Sequence, residues 1–138
     1  MAKNMVETQE YGASQKQILI ADETAVTLGA QIGNTGLTAD SNGRKILKAG
    51  TPLHGDWLDR DTAFVKATSS GTETKTSNAN AVLLHDVDVT SGDVNGTIIS
   101  TGHIDLLKLD SDVQTLIAAE TITALKAEGI KFIKGSKV

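Results

Sequence analysis

The sequence predicts a mainly β fold, namely a small barrel-like or tulip-like β domain with a short C-terminal helical region and a flexible N-terminal arm. Short runs of aliphatic and β-branched residues recur about every ten residues, separated by Gly, Asn and Asp clusters that are typical of turns. Helical spacing is confined to residues 112–128, and residues 1–14 are polar without a sustained period. These observations divide the chain into an arm, residues 1–14, and a single β-rich domain, residues 15–138.

The composition limits the classes of function. The chain has 138 residues, of which 39% are hydrophobic and only 3% aromatic, so a single core must be built from Ile, Leu, Val and Ala. The net charge of −4 argues against nucleic acid as a partner. The absence of cysteine excludes disulfides and thiolate metal sites.

No segment of the sequence is typical of membrane insertion or secretion. Nothing approaches the run of about 18 apolar residues that a spanning helix requires, and no apolar stretch follows the N-terminal Met1 to Asn4. We therefore expect neither a membrane partner nor a secretory signal, and synthesis inside the cell.

The residues of the N-terminal arm leave two interpretations open, a frayed tail and a segment that becomes ordered only on a partner. Fixing its backbone costs about 1 kcal/mol or more per residue, and the arm offers little apolar surface to offset that cost. Val6, Thr8 and Tyr11 are nevertheless compatible with a strand added to the sheet of another protein. Residues 12–14, Gly-Ala-Ser, would form the hinge into the domain.

Four segments of the first half are predicted strands. Pro52 cannot donate a hydrogen bond to a sheet, so it should mark a strand end or an edge. Between the strands lie turn clusters with residues that tolerate a positive φ. The predicted strands are residues 17–20, 25–32, 44–49 and 62–68.

Two further segments lie around the last of these strands. Trp57, the only tryptophan, is expected either to plug a small core as a half-buried side chain or to bind a partner. Residues 69–78 are polar and of low complexity, which predicts a mobile loop.

The longest apolar-patterned block, residues 79–109, is predicted to form two strands joined by a polar turn. Val82 to Leu84 form a continuous apolar run, which suits a strand covered on both faces, and residues 86–89 then alternate polar with apolar. Residues 91–96 include Ser91-Gly92-Asp93 and Asn95-Gly96, which favour a reversal, and residues 97–104 return as the second strand.

Residues 112–128 are predicted to be helical, as one helix or two short ones. Ser111 and Gln114 match a capping box, and Ala118, Ile122 and Leu125 form a stripe at helical spacing. Gly129 suits the left-handed position that ends a helix, and residues 130–133 form a last short strand.

The side chains that could carry chemistry form no recognised motif. His54, His85 and His103 match no zinc signature, and a hydrogen-bonded structural role is expected for them. Asp86, Asp88 and Asp93 are dense enough for a calcium site, but a strand pattern and not a coordination loop surrounds them. No nucleophile elbow or phosphate-binding loop is present, so the sequence predicts no enzyme, no cofactor and no metal.

Two segments resemble a known family. A-V-L-L-H-D-V-D-V-T-S-G-D-V, residues 81–94, resembles a segment of the head decoration proteins of tailed bacteriophages, and G-R-K-I-L-K-A-G-T-P-L-H-G, residues 43–55, resembles a hairpin of the same family. T-G-H-I-D-L-L-K-L and A-L-K-A-E-G-I-K-F-I occupy the places of its later elements, so the resemblance covers roughly residues 43–133. The chain departs from the family around Trp57, where a small polar turn is usual.

The resemblance implies a structural function. Proteins of this family bind the outside of the expanded phage head, usually as trimers at its three-fold and quasi-three-fold positions, and hold neighbouring major capsid subunits against DNA pressure. It implies the major capsid protein and further copies of this chain as partners, and the outer surface of the virion as the location, after synthesis in the host cytoplasm. It also implies that the N-terminal arm, here with Val6, Thr8 and Tyr11, reaches the capsid protein and joins its sheet. Trp57 is expected as a secondary contact on a different ground, because its loop would be the anchor if the arm were not needed.

Two other classes of function stay open. The first is a receptor- or carbohydrate-binding β-module, which usually presents clustered aromatic residues, whereas this chain has one Trp and one Tyr. The second is an enzyme, which would need a pocket with converging polar groups.

Overall fold

A computed structural model of the chain describes residues 17–20 and 25–134, and the arm residues Val6, Thr8 and Tyr11 lie outside these ranges. The described residues are 37% strand and 14% helix, which confirms the mainly β class. The strands are β1 (Leu19–Ile20), β2 (Val26–Ile32), β3 (Ile46–Leu47), β4 (Pro52–His54), β5 (Val65–Lys66), β6 (Ser69–Ser70), β7 (Thr76–Ser77), β8 (Ala81–Leu83), β9 (Val87–Asp88), β10 (Val94–Asp105) and β11 (Ile130–Ile133). A 3₁₀ turn spans Leu106–Lys108, and the two α-helices are α1 (Ser111–Gln114) and α2 (Ala119–Ala127).

The 12-residue strand β10 is the centre of the main sheet. β2 and then β1 pair antiparallel with one edge of β10. β8, which is antiparallel, and β11, which is parallel, pair with the other edge. The sheet continues from β8 through β4 to β5. Its seven strands do not close into a barrel within the described residues.

Strands β8 and β10 are covered on both faces, as the continuous apolar run of β8 predicts. Ile98 pairs with Leu83 and Ile99 with Val82, and all four side chains are fully buried. Because successive strand residues point to opposite faces, Ile99 and Val82 belong to one core cluster and Ile98 and Leu83 to the other. The first cluster includes Val113 of α1 and Leu125 of α2, and the second is completed by Leu53 and Phe64.

The turn expected between the two strands of residues 79–109 is shorter than the sequence predicts. Gly92 does lie in the turn, with a φ of 134°. Asn95 and Gly96, however, belong to β10 and pair with β2, so the prediction of a turn there is wrong. A side chain at Gly96 would meet Ile32 at 2.7 Å, so this glycine provides space for a core side chain.

Residues 69–78, predicted as a mobile polar loop, contain a short hairpin whose two paired strands the sequence does not predict. Ser69 pairs with Ser77 and Ser70 with Thr76. The Asn78 side chain accepts a hydrogen bond from the Thr68 backbone at 2.8 Å and closes the base of the hairpin. Polar residues form this hairpin without apolar packing because their backbone and side-chain hydrogen bonds connect its two arms.

The helical region consists of two short helices. Ser111 is the first residue of α1 and not its cap, and Asp110 occupies the cap position, where its side chain makes no capping hydrogen bond to the helix. Gln114 donates to the Leu109 carbonyl at 2.9 Å, so the predicted capping box is wrong. Gly129 has a φ of 96° directly after α2, which confirms the predicted end of the helix.

The buried face of α2 differs from the predicted stripe. Thr121 and Leu125, four residues apart, are 4% and 0% exposed, whereas Ile122 is 36% exposed. The buried pair at positions i and i+4 is therefore a threonine and a leucine. A search for apolar residues at helical spacing does not find the threonine.

Candidate interaction surface

The loop between β4 and β5, residues 55–64 and here called the Trp57 loop, is anchored at its first residue. The Gly55 N–H donates to the Asn80 side chain at 3.1 Å, and the Asn80 amide donates back to the Gly55 carbonyl at 2.7 Å. The ring of Phe64, which is fully buried, lies directly on Gly55, since a Cβ there would be 2.5 Å from two ring atoms. A side chain at position 55 would therefore displace the ring.

The far side of the Trp57 loop is attached to the end of β2. The Gln31 N–H donates to the Arg60 carbonyl at 3.1 Å, and the Phe64 N–H donates to the Gln31 carbonyl at 2.8 Å. The Arg60 guanidinium also donates to the Gly29 carbonyl at 2.6 Å. These contacts hold the loop in one position, although its residues are mostly exposed.

A tight turn at the tip presents residues 57 and 58. The Asp56 carboxylate accepts from the Leu58 N–H at 2.8 Å, and the Asp56 carbonyl accepts from the Asp59 N–H at 3.1 Å. Thr62 donates its hydroxyl to the Asp59 carboxylate at 2.7 Å, and this hydrogen bond lowers the pKa of Asp59. Asp59 therefore remains charged at neutral pH.

Trp57 and Leu58 have different environments. Trp57 is half-buried and packs edge-to-face on Phe64, with ring centroids 5.3 Å apart, which confirms the prediction of a half-buried plug. Leu58 is 96% exposed, so nearly all of its side chain contacts solvent. The sequence prediction named Trp57 and missed Leu58, although Trp57 and Leu58 are the two apolar residues between Asp56 and Asp59 in a polar loop.

A groove of about 410 Å³ lies beside the loop. Its walls combine the Trp57 ring with polar side chains from β2 and β10, where the Gln31 amide donates to the side chain of its cross-strand neighbour Asn95. The residues whose polar groups line the groove are Gln31, Asp59, Arg60, Asp61 and Asn95.

The described chain begins and ends at the opposite end of β10. Leu19 pairs with Ile104, and Ile133 pairs with Asp105, whereas the groove contacts Asn95. Asp105 is ten positions beyond Asn95 along the strand, so the two ends are about 30 Å apart. The first described strand, β1, and the Trp57 loop therefore lie at different ends of β10.

Asp86 and Asp88, from the apolar-patterned block of residues 79–109, accept hydrogen bonds within the fold. Asp86 accepts from the Ala49 N–H at 2.7 Å, and Asp88 accepts from the Thr90 N–H at 3.0 Å. The hydroxyl of Thr90 also donates to Asp88, and this contact lowers the pKa of Asp88. Within residues 17–20 and 25–134, no three His, Asp or Glu side chains form a group that could hold a metal ion.

The three histidines do not converge on a site. His54 contacts the Asn78 carbonyl through Nδ1 at 2.9 Å, and His103 is exposed on β10. The Nδ1 atom of His85 is buried and has no hydrogen-bond partner in the described part of the chain.

None of the helices among the described residues is long and apolar enough to cross a membrane. Comparison of the chain with protein-family models and with curated protein sequences finds no match. The functional conclusion therefore depends on the resemblance of two segments, on the fold and on the surface of the molecule.

Proposed function

We propose that this protein is a capsid decoration protein of a tailed bacteriophage. It binds the outside of the expanded head as a trimer at three-fold and quasi-three-fold sites, and its partners are the major capsid protein and two further copies of the chain. Its role is mechanical: it connects neighbouring capsid subunits and so opposes the internal pressure of the DNA.

The observation that carries this proposal is the pairing of the two family-like segments in the fold. β3, from residues 43–55, pairs with β9, from residues 81–94. β4 and β8, from the same two segments, pair in the main sheet. The two segments that resemble decoration proteins thus form one connected structural unit, which supports a common fold more strongly than two separate sequence patterns would.

The N-terminal residues support capsid binding. β1, the first described strand, pairs with His103 and Ile104 of β10, whereas the groove beside the Trp57 loop contacts Asn95. Val6, Thr8 and Tyr11 precede β1 in the sequence and can add a strand to an edge of the capsid sheet, where main-chain hydrogen bonds offset the cost of ordering it. Three arms per trimer add their contacts by multivalency, so each contact can be weak.

Co-sedimentation tests the proposal directly. The full chain is mixed with expanded and with unexpanded capsids built from the major capsid protein of the same genome. A variant that lacks residues 1–13 is mixed with the same two forms of capsid in parallel. We expect the full chain to sediment with expanded capsids, and the truncated variant to keep its melting temperature but bind far more weakly. If the full chain binds neither expanded nor unexpanded capsids, the proposed function is refuted. If the truncated variant binds as well as the full chain, the role of the arm is refuted.

The groove beside Trp57 favours a second candidate function, a receptor- or carbohydrate-binding module. In this groove an aromatic ring lies beside amide and guanidinium groups. The ring can stack on the face of a sugar, and the polar groups can form hydrogen bonds with its hydroxyls. Because Trp57 is the only tryptophan, titration with a panel of soluble glycans should change its fluorescence if this candidate is correct. An unchanged spectrum with every glycan would remove it.

A further inference from the structure

Strand β2 has an inner edge, which pairs with β10, and an outer edge, which faces away from β10. The Trp57 loop covers the outer edge at the C-terminal end of β2. There the Gln31 N–H donates to the Arg60 carbonyl at 3.1 Å, and the Gln31 carbonyl accepts from the Phe64 N–H at 2.8 Å. Alternate residues of a strand direct their N–H and C=O groups to the same edge, so Gly29 and Thr27 also face outward.

The outer edge is open at Thr27 and Gly29. The Gly29 carbonyl accepts from the Arg60 guanidinium at 2.6 Å, but the Thr27 N–H, the Thr27 carbonyl and the Gly29 N–H have no partner on this edge within the described part of the chain. Both residues are exposed, and the neighbouring Val26 is 49% exposed. Residues 26–32 contain no charged side chain and no proline that would protect the edge, so another strand can pair with it.

The groove beside the Trp57 loop lies directly at this open edge. Gly29 lines the groove together with the Trp57 ring. A Cβ at Gly29 would meet no atom closer than the Gly96 carbonyl oxygen at 3.9 Å, so there is space above this residue. A strand paired with the edge would therefore place one side chain over Gly29 and beside Trp57.

The N-terminal arm of the same chain fits this edge by its position and its length. β1, which follows the arm in the sequence, pairs with the same edge of β10 as β2 does. Gln17 lies about seven positions of β10 away from Thr27, which is about 23 Å. The nine residue steps from Gln17 back to Thr8 span up to about 30 Å, which leaves about two residues for a reversal. A segment of the same chain is also present at a higher effective concentration than any separate partner.

We propose that in the free protein the arm pairs antiparallel with the outer edge of β2 of its own chain, with Thr8 opposite Thr27 and Val6 opposite Gly29. The three open backbone groups then gain partners, and the Val6 side chain covers the groove beside Trp57. The cost of ordering the arm opposes these few hydrogen bonds, so the docked and the released arm are similar in free energy. Docking on β2 competes with the addition of the same residues to a capsid sheet, and this consequence alone rests on the proposed function.

Residue-resolved amide hydrogen exchange tests the contact without any substitution in the domain. Exchange is compared between the full chain and the variant that lacks residues 1–13. We expect exchange at Thr27 and Gly29 to be at least threefold slower in the full chain, because carbonyls of the arm accept from their N–H groups. Leu28 and Ala30 are the matched controls, since their N–H groups face β10 and should exchange equally in both proteins. Equal rates at Thr27 and Gly29 in the two proteins would overturn the inference.

A disulfide cross-link tests the register and whether the arm belongs to the same chain. Thr8→Cys with Thr27→Cys introduces the only two cysteines, and the dilute protein is oxidised. We expect an intrachain disulfide in a monomer, because directly opposed strand residues are close enough to be bridged. Thr8→Cys with Thr123→Cys is the matched control and should give at least fivefold less, since Thr123 is exposed on α2, which packs beside β11 on the other edge of β10. Equal yields from the two pairs, or disulfide-linked dimers as the main product, would overturn the proposal.

Sedimentation with capsids separates this inference from the proposed function. We expect the oxidised variant with cysteines at positions 8 and 27 to bind expanded capsids at least tenfold more weakly than the same protein after reduction. Equal binding before and after reduction would overturn the competition between β2 and the capsid. Slower exchange and an intrachain disulfide in a protein that binds no capsid would support the arm contact and refute the decoration function.

Discussion

Gly55 is the residue whose substitution tests the arrangement of the Trp57 loop. Replacement by alanine adds a Cβ that would be 2.5 Å from Cγ and Cδ2 of Phe64 and 2.7 Å from Cδ1. The Phe64 ring is fully buried and cannot turn outward to make room. The φ of Gly55 does not lie in the left-handed region, so the effect of Gly55→Ala comes from this contact and not from backbone strain.

The expected loss of stability follows from two opposing terms. Overpacking of a buried site costs about 1–3 kcal/mol. The smaller entropy of an unfolded chain with alanine returns about 0.4–1 kcal/mol. We therefore expect the free energy of unfolding to fall by about 1–2 kcal/mol, which lowers the melting temperature by roughly 3–8 °C for a domain of this size.

Urea denaturation and tryptophan fluorescence measure this effect. Trp57 packs on Phe64, so a displaced Phe64 ring should expose the indole and move its emission to longer wavelength. Gly29→Ala is the matched control, because the nearest atom to its Cβ would be 3.9 Å away, and its free energy of unfolding should change by less than about 0.5 kcal/mol. Phe64→Leu, combined with Gly55→Ala, should recover part of the loss in a double-mutant cycle, with a coupling of about 1 kcal/mol.

One result would refute this reasoning. If Gly55→Ala unfolds at the same urea concentration as the unchanged protein and emits at the same wavelength, Phe64 does not lie on Gly55 and the loop is held in another way. A destabilised variant with no coupling to Phe64→Leu would locate the clash elsewhere.

Two further predictions concern the hairpin and a surface ion pair. Deletion of residues 71–75 removes only exposed residues and leaves the hydrogen bonds between Thr68 and Asn78 to close a shorter turn, so the free energy of unfolding should fall by no more than about 1 kcal/mol. A much larger loss in urea denaturation would mean that the tip is needed for packing against α2. The Lys48 ammonium donates to Asp112 and lowers the pKa of that carboxyl, so the pair stabilises the fold above the unfolded pKa and is lost as the pH falls through the lower folded pKa. Asp112→Asn should therefore cost at most about 1 kcal/mol at pH 7 and nothing near pH 2, and a difference that persisted at pH 2 would contradict this explanation.

The sequence predicts local structure well where the cause is local. The burial of Val82 and Leu83 follows from a continuous apolar run, and the end of α2 at Gly129 follows from the conformational freedom of glycine. The mainly β class follows in the same way from period and turn residues, which need no knowledge of the neighbours in space. The arm, with Val6, Thr8 and Tyr11, stays a prediction, because it lies outside the described residues.

Local signals fail where a distant residue determines the outcome. Asn95-Gly96 has the composition of a turn, but it lies within β10 because Ile32 of β2 occupies the space above Gly96. Ser111 has the pattern of a cap, but Gln114 instead reaches the Leu109 carbonyl. In each case a tertiary or neighbouring contact outweighs a weak intrinsic preference.

Two features of the surface show the same division. The exposure of Leu58 depends on a local turn that the Asp56 carboxylate closes, so an apolar residue among aspartates is a signal in the sequence. The groove between β3 and α1 has no sequence signal, since Leu37, Ile46 and Leu116 come from separate parts of the chain and become neighbours only when β3 packs beside α1. Residue types and their spacing thus specify which strands form, whereas the shape of a groove depends on non-local packing between elements that the chain brings together only on folding.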